Sequence, residues 1–159
     1  MVENIAAILL FSIPEGIVVT YLASSLQARK IKMAQIVLIG ILFGLAVYGI
    51  RAITGNYILN ICCSTILLIV LLKYLGSIPN FDSLIAGITS ISLYLAVEFL
   101  NVSFLQTITG VEPTRLQADF SLRLLWFLSQ VFIVVVLSLI IRCFLVRKLE
   151  RKKTDHDCG

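Results

Sequence analysis

The sequence predicts an all-α fold: a polytopic membrane bundle of about five transmembrane helices, with its N-terminus outside and its C-terminus in the cytoplasm. The chain has 159 residues, of which 59% are hydrophobic and only 14% are charged, and its mean hydropathy is +1.02. Globular domains contain about 45–50% apolar and about 25% charged residues. A soluble domain of this length could not bury so many Leu, Ile and Val side chains. The composition therefore places the chain in a membrane.

Long stretches without charge give the positions of the helices. Residues 33–50, 52–72 and 124–141 are uncharged throughout, residues 4–28 are interrupted only by Glu15, and residues 83–111 only by Glu98. A membrane-spanning helix needs about 20 mostly apolar residues. The sequence therefore predicts one integral membrane domain, residues 1–159, with helices at about 4–26, 34–53, 57–75, 83–107 and 121–146 and a basic tail at 147–159.

The segments between these stretches support the same division. The first helix begins with the acidic "MVEN" and has no small-residue cleavage site after it, so it does not look like a signal peptide. Residues 54–56 are too few for more than a tight turn, which predicts an antiparallel pair of the second and third helices. Pro79 in "GSIPNFDS" (76–83) cannot continue a helix. "TGVEPTRLQADF" (109–120) forms the largest loop before the last helix.

The distribution of Lys and Arg predicts the orientation. Ten of them fall in the turn after the first helix, at the end of the third helix (Lys73) and from Arg142 through the C-terminal tail, whereas Arg51, Arg115 and Arg123 fall on the other side. Since cytoplasmic segments carry the excess of positive charge, the ten-residue side is predicted to be cytoplasmic. The basic tail is explained by this orientation and by contact with anionic lipid headgroups. We therefore expect the lipid bilayer, and no nucleic acid, as its partner.

The reactive residues do not form a catalytic or metal-binding pattern. Cys62 and Cys63 are adjacent, Cys143 lies near the end of the last helix, Cys158 is penultimate, and none of them has zinc-ligand spacing. His156, in the tail, is the only histidine, so no predicted helix offers a base for a cysteine or serine nucleophile. We expect no enzyme activity, no metal and no cofactor, and we expect the last residues, "DHDCG", to be frayed.

Helical periodicity places the polar residues of three segments on common faces. In the fourth segment they form one stripe: Ser83, Gly87, Ser90, Tyr94, Glu98 and Asn101. In the third segment Asn56, Asn60, Cys63 and Ser64 lie along one side. In the second segment Gly40, Gly44, Tyr48 and Arg51 share a face. Gly40 and Gly44 allow another helix to approach closely, which suits packing within the chain or contact with a partner.

Glu15 lies inside the first apolar stretch, directly after Pro14. A charged residue at the bilayer centre costs about 2.5–3.5 kcal/mol on insertion scales, so Glu15, Arg51 and Glu98 are predicted to share a polar cluster with Tyr94 and Asn101. Arg51 would pair with one carboxylate, and the other would be neutral. Pro14 would kink the helix and make room. The cluster has three interpretations: a clamp between helices, a ligand-sensing pocket, or an ion or proton path.

Several of these residues lie in short motifs: "IPEG" (13–16), the basic turn after the first helix, "YGIRAITGN" (48–56) and "LAVEFL" (95–100). Over about residues 5–146 this pattern resembles the N-terminal membrane region of sensor histidine kinases of the GHKL ATPase class, mostly from Gram-positive bacteria. The resemblance implies a sensing module of the bacterial cytoplasmic membrane, with Glu15, Arg51 and Glu98 at matching positions. In that family a phosphoacceptor segment and an ATP-binding domain follow. Here only 13 residues follow Val146 and no Gly-rich nucleotide motif is present, so we expect no kinase activity.

Two functions are therefore compatible with the sequence. The first is a non-catalytic sensing or regulatory module that acts on a histidine kinase or another membrane partner, or on a second copy of itself. The alternative is a small membrane transporter or transporter subunit, in which the polar stripe of the fourth segment lines the path.

Overall fold

The computed structural model describes residues 8–27, 31–110 and 120–157, and it describes only the backbone of residues 8, 9, 109 and 146–157. A π-helical turn, Ile8–Ser12, leads into the first α-helix. The five α-helices of the described residues are α1 (Ile13–Ser25), α2 (Met33–Thr54), α3 (Tyr57–Tyr74), α4 (Asn80–Thr109) and α5 (Phe120–Asp157). The predicted all-α fold is confirmed.

Four of these helices, α2 to α5, are long and apolar enough to cross a membrane, and α1 belongs to a shorter apolar helix, Leu10–Ser25. Large apolar side chains cover the outside of the bundle, among them Ile66, Phe99 and Phe132. A soluble protein would not leave so much apolar surface in water, whereas lipid tails accept it. The chain is a multi-pass membrane protein.

The helices form a ring of four with the fifth outside it. Helix α1 packs on α2, α2 on α3, α3 on α4, and α4 returns to α1. Helix α5 lies against α1 and α4, on the outer side of the ring. The apolar core includes the fully buried side chains of Leu22 in α1, Leu68 and Leu72 in α3, and Val134 in α5. The same core continues along the ring to Val19, Phe43, Val47 and Ile91.

Contact between α1 and α2 is made by backbone against backbone. A Cβ atom on Gly40 would lie 2.5 Å from the Cα of Ile17, and one on Gly44 would overlap the carbonyl oxygen of Ser12. A third glycine, Gly16 of α1, faces both, because its Cβ would lie 2.8 Å from the Gly44 nitrogen. The Gly40 and Gly44 face is thus occupied by α1 within the chain. Of the two roles predicted for Gly40 and Gly44, the structure shows packing within the chain.

The tight turn predicted at 54–56 is present, and the residues of its sequence explain it. Gly55 ends α2 with a φ of 56°, a left-handed conformation that glycine adopts without steric cost. Asn56 then caps α3, since its side-chain oxygen accepts hydrogen bonds from the backbone nitrogens of Ile58 at 3.0 Å and Leu59 at 3.4 Å. The turn brings the end of α2, with Arg51, next to the start of α3.

Some predicted boundaries differ from the observed ones. Helix α4 begins at Asn80, three residues before the predicted start at 83, because Pro79 occupies its N-cap and the chain becomes helical directly after it. Helix α5 runs to Asp157, well past the predicted end at 146. The predicted basic tail is therefore helical as far as Asp157, and its Leu, Glu, Lys and Arg residues are strong helix formers. The start of the first predicted helix, residues 4–7, and the last residues of the tail lie outside the described residues.

Pro14 was predicted to kink the interior of a helix. It lies inside the helix Leu10–Ser25, at the junction where the π-helical turn Ile8–Ser12 passes into α1. Because Pro14 has no amide hydrogen, the carbonyl of Leu10 loses its usual α-helical donor. A π-helical turn is one way in which a helix accommodates such an interruption. Glu15 is the next residue, so the direction of its side chain depends on this change from π-helix to α-helix.

The orientation of the bundle remains a prediction with a direct test. Reporter fusions after residue 31 and after residue 153 should read as cytoplasmic, and a fusion after residue 115 should read as external, because ten of the thirteen Lys and Arg residues lie on the first side. A fusion after residue 77, in the α3–α4 turn, serves as an internal control and should match the fusion after residue 31. A cytoplasmic signal at 115 would contradict the five-helix topology.

Candidate functional site

A cavity of about 350 Å³ lies inside the four-helix ring, in the half next to the α2–α3 turn. Its polar lining residues are Glu15, Arg51, Thr54, Asn56, Tyr57, Asn60, Ser64, Tyr94 and Glu98. Its apolar lining residues are Val19, Phe43, Val47, Ile61, Ile91 and Leu95. Each helix of the ring contributes to it, and α5 does not. Cavities that bind small ligands have volumes of about 300–1,000 Å³, so this one suits a small molecule.

The cavity is open beside the α2–α3 turn, and its deeper lining is buried. Tyr57 and Arg51, beside the α2–α3 turn, are exposed, whereas Val19, Phe43 and Ser64, deeper in the ring, are buried. Beyond these three residues lie Leu22 and Leu68 of the apolar core, and neither lines the cavity. A molecule that enters from the α2–α3 end therefore reaches buried side chains at Val19, Phe43 and Ser64.

Glu15 and Arg51 form a two-pronged ion pair inside the cavity. The Nη2 atom of Arg51 donates to Oε1 of Glu15 at 2.8 Å, and Nη1 donates to Oε2 at 3.2 Å. This parallel arrangement is the strong geometry for an arginine and a carboxylate. The Glu15 side chain is only 14% exposed, whereas that of Arg51 is 49% exposed. Arg51 thus reaches Glu15 from the open end of the cavity and keeps three further N–H donors.

The two carboxylates of the cavity have different surroundings. Glu15 has Arg51, and the buried Tyr94 side chain is close enough to Glu15 to interact with it through a hydrogen bond. Glu98 lines the same cavity and interacts with both Glu15 and Arg51 through space. Among the described residues Glu98 has no ion pair. The guanidinium of Arg51 therefore interacts with both carboxylates, and it donates its two hydrogen bonds to that of Glu15.

Two polar atoms of α3 in the cavity wall have no hydrogen-bond partner among the described residues. They are Oδ1 of Asn60 and Oγ of Ser64. Asn60 is 9% exposed and Ser64 is 6% exposed, and the two stand four residues apart, one above the other on the same face of α3. A buried polar atom without a partner costs about 1–3 kcal/mol. A molecule in the cavity that hydrogen-bonded to these two side chains would remove this cost.

The structure brings together Glu15, Arg51, Tyr94 and Glu98, four of the five residues predicted for the polar cluster. It places the fifth, Asn101, elsewhere. The Asn101 side chain donates to the carbonyl oxygen of Trp126 at 3.1 Å and accepts a hydrogen bond from Ser129 Oγ at 3.1 Å, so it joins α4 to α5. The periodicity places Asn101 on a buried face of α4, but the helix that it meets there is α5, outside the ring.

Some residues that build the site lie outside the cluster predicted from the sequence. Tyr57 was not considered, although it follows the Gly55–Asn56 turn and so had to lie near Arg51. Asn60 and Ser64 were placed on one side of α3 but were not assigned to the cluster. Gly16 was missed because a lone glycine gives no spacing signal, although its position next to Glu15 in "IPEG" is informative in retrospect.

The cavity has polar acceptors and donors but no constellation for metal binding. Among the described residues no group of three or more His, Cys, Asp or Glu side chains could hold a metal ion. Cys62 and Cys143 are exposed on the outside of the bundle, and Cys63 is half-buried. What the cavity offers is a charged end at Glu15, Arg51 and Glu98, two unpartnered oxygens, and apolar walls.

The fold and the cavity define the class of this protein: a multi-pass helical membrane protein with a polar cavity that is open beside the α2–α3 turn. Comparison of the chain with protein-family models, with curated proteins and with solved structures finds no match. The resemblance to the membrane region of GHKL sensor kinases therefore stays a prediction.

Proposed function

We propose that this chain is a non-catalytic sensing module of the bacterial cytoplasmic membrane, which binds a small molecule in the cavity and signals through a membrane partner. The observation that carries the proposal is the cavity itself, with Asn60 Oδ1 and Ser64 Oγ unpartnered in its wall. The resemblance of "IPEG", "YGIRAITGN" and "LAVEFL" to sensor-kinase membrane regions favours the same function and suggests a histidine kinase as the partner.

A role as a mere clamp explains less of the site. The Glu15–Arg51 pair alone would hold α1 to α2, and α1 and α2 are already joined through their glycines. A clamp requires neither a cavity nor a second carboxylate at Glu98. Buried ionisable groups in membrane helices are rare and usually functional. These features together favour a binding site over a purely structural cluster.

Transport, the alternative, is less well supported. A channel needs a continuous path to both sides of the membrane, and the lining residues of α1, α2 and α3 farthest from the α2–α3 turn are Val19, Phe43 and Ser64. A lining that stops at these buried side chains suits a receptor, in which the ligand enters and leaves by the same end. The proposed function therefore requires binding without translocation.

A fragment screen tests this proposal. The full chain in lipid nanodiscs is heated with and without each compound of a small-fragment library, and the unfolding midpoint is recorded. Ser64→Leu fills the cavity, and Cys62→Leu places the same side chain on the exposed face of the same helix as a control. We expect a set of fragments to raise the midpoint of the wild-type chain and of Cys62→Leu but not of Ser64→Leu, because a filled cavity has no room for them.

The same fragments are then tested for uptake into proteoliposomes. We expect no uptake above that of protein-free vesicles. Uptake of those fragments whose effect on the unfolding midpoint depends on Ser64 would favour the transporter. If the library contained no fragment whose effect depends on Ser64, the cavity would not be a binding site and the sensing proposal would fail.

A further inference from the structure

We propose that the ligand of this cavity is a small organic ammonium ion with an apolar body, recognised by Glu98 together with Asn60 and Ser64. This inference rests on the binding function proposed above and assigns its ligand class. It is drawn from the charges, the unpartnered atoms and the walls of the cavity.

The charge balance is the first step. Arg51 directs two N–H groups to Glu15, so the charge of Glu15 is compensated within the protein. Glu98 lines the same cavity, and no Lys, Arg or His among the described residues forms an ion pair with it. With both carboxylates ionised the cavity carries one negative charge in excess. A cation that binds beside Glu98 removes this excess and forms a charge-assisted hydrogen bond.

The hydrogen-bonding pattern is the second step. Oδ1 of Asn60 can only accept hydrogen bonds, and Oγ of Ser64 can accept as well. Both atoms are unpartnered, in side chains that are more than nine-tenths buried. An ammonium group has three donors and no acceptor. An ammonium ligand can therefore donate hydrogen bonds to the Glu98 carboxylate and to the oxygens of Asn60 and Ser64. A carboxylate or phosphate ligand would instead place its own acceptor oxygens beside these acceptors.

The apolar lining of the cavity favours an organic ammonium ion over a bare metal cation. Hard divalent cations take about six or more oxygen ligands, and much of this cavity is lined by Val19, Phe43, Val47 and Ile91. An apolar body buries its surface against these side chains. Two tyrosines, Tyr57 and Tyr94, also line the cavity, and aromatic rings attract organic cations. The volume of about 350 Å³, at about 30 Å³ for each non-hydrogen atom, sets the size of the ligand at about a dozen such atoms or fewer.

Three probes of equal length test the ligand class: hexylammonium chloride, hexanol and sodium hexanoate. Each is titrated against the full chain in nanodiscs of zwitterionic lipid at constant total salt, and the unfolding midpoint is recorded. The cavity-filling Ser64→Leu variant is titrated in parallel, so that effects of the probes on the lipid are subtracted. We expect hexylammonium to raise the unfolding midpoint of the wild-type chain in a saturable way and to have no such effect on Ser64→Leu. We also expect the affinity for hexylammonium to be at least about tenfold above that for hexanol.

Two variants of Glu98 test its role. Glu98→Gln keeps the size of the side chain and removes the charge, and it should weaken hexylammonium binding about tenfold or more while leaving hexanol binding unchanged. Glu98→Asp keeps the charge and should retain part of the affinity. Because Glu98 has no ion pair to lose among the described residues, both variants should unfold near the wild-type midpoint without a probe, and that midpoint is measured first.

The other outcomes overturn the inference in distinguishable ways. If hexanol or hexanoate bound as well as hexylammonium and lost its effect in Ser64→Leu, the ligand class would be wrong and the binding function would stand. If hexylammonium bound equally to Glu98→Gln, the role of Glu98 would be wrong. If replacing sodium with potassium or calcium chloride produced the same saturable rise, the site would take a metal cation instead. If none of the probes and no fragment of the library gave an effect that depends on Ser64, the proposed function would fail with it.

Discussion

Gly44→Ala is expected to destabilise the folded bundle severely, by about 1–3 kcal/mol or more, which is the usual cost of an overpacked core. The added Cβ would overlap the carbonyl oxygen of Ser12 and lie 2.9 Å from its carbonyl carbon. Both are backbone atoms, so no side chain can turn aside to make room. Helix α1 must then move away from α2, and this movement also stretches the Glu15–Arg51 pair. The measurement is the unfolding midpoint of the purified chain in detergent.

Gly49→Ala is the matched control for this variant. Gly49 lies in the same helix, and a Cβ built on it meets nothing within 4 Å. Alanine in a helix interior is more favourable than glycine by about 0.5–1 kcal/mol, so Gly49→Ala should be neutral or slightly stabilising. Equal loss of stability in the two variants would mean that α2 is sensitive to any substitution, and no loss in Gly44→Ala would mean that α1 and α2 are not in backbone contact.

The second large effect is expected at the ion pair. Glu15→Gln should lower the unfolding free energy because it leaves Arg51 without its partner, and removal of one partner of a fully buried pair costs about 3–5 kcal/mol. The Arg51 side chain is 49% exposed and can turn toward water or headgroups, so the loss should be smaller than that. The double variant, Glu15→Gln with Arg51→Gln, should recover much of the loss. The thermal stability in detergent of both single variants and the double variant gives the coupling.

Glu98→Gln with Arg51→Gln provides the comparison for this cycle. Glu98 lines the same cavity but makes no ion pair with Arg51, so its coupling to Arg51 should be clearly weaker than that of Glu15. Neighbouring groups in one network usually couple by about 0.5–3 kcal/mol. Strict additivity between Glu15 and Arg51 would exclude the pair and favour a neutral Glu15 in a binding pocket.

The sequence predicts the helices of this protein better than it predicts how they meet. Uncharged stretches are long in membrane proteins because each helix must cross the same thickness of hydrocarbon, and they placed α2 to α5 within a few residues except at the end of α5. The cluster of Glu15, Arg51 and Glu98 was predictable because charges inside a membrane must find partners or a polar cavity. Periodicity identified the buried face of α4 because the polar residues of this helix recur on the side that faces away from lipid.

What periodicity cannot give is the identity of the opposite helix. Asn101 and Glu98 lie three residues apart on neighbouring parts of one face, yet one meets α5 and the other meets the cavity. The contact of Gly16 with Gly44 depends on the register between α1 and α2, which no local pattern specifies. The ring itself depends on the return of α4 to α1, a contact between helices that are distant in the chain. These features are properties of packing and not of any single segment.

The position of α5 outside the ring has a mechanical consequence. Helix α4 holds Glu98 in the cavity and, less than one turn later, is fastened to α5 through the hydrogen bonds of Asn101 with Trp126 and Ser129. A rotation of α4 about its own axis would therefore push α5 near its start, at Trp126 and Ser129, and tilt the helix. Helix α5 has 38 residues, which corresponds to a rod of about 57 Å at about 1.5 Å per residue. A small turn at the cavity would thus become a larger sideways displacement at Asp157, on the far side of the membrane.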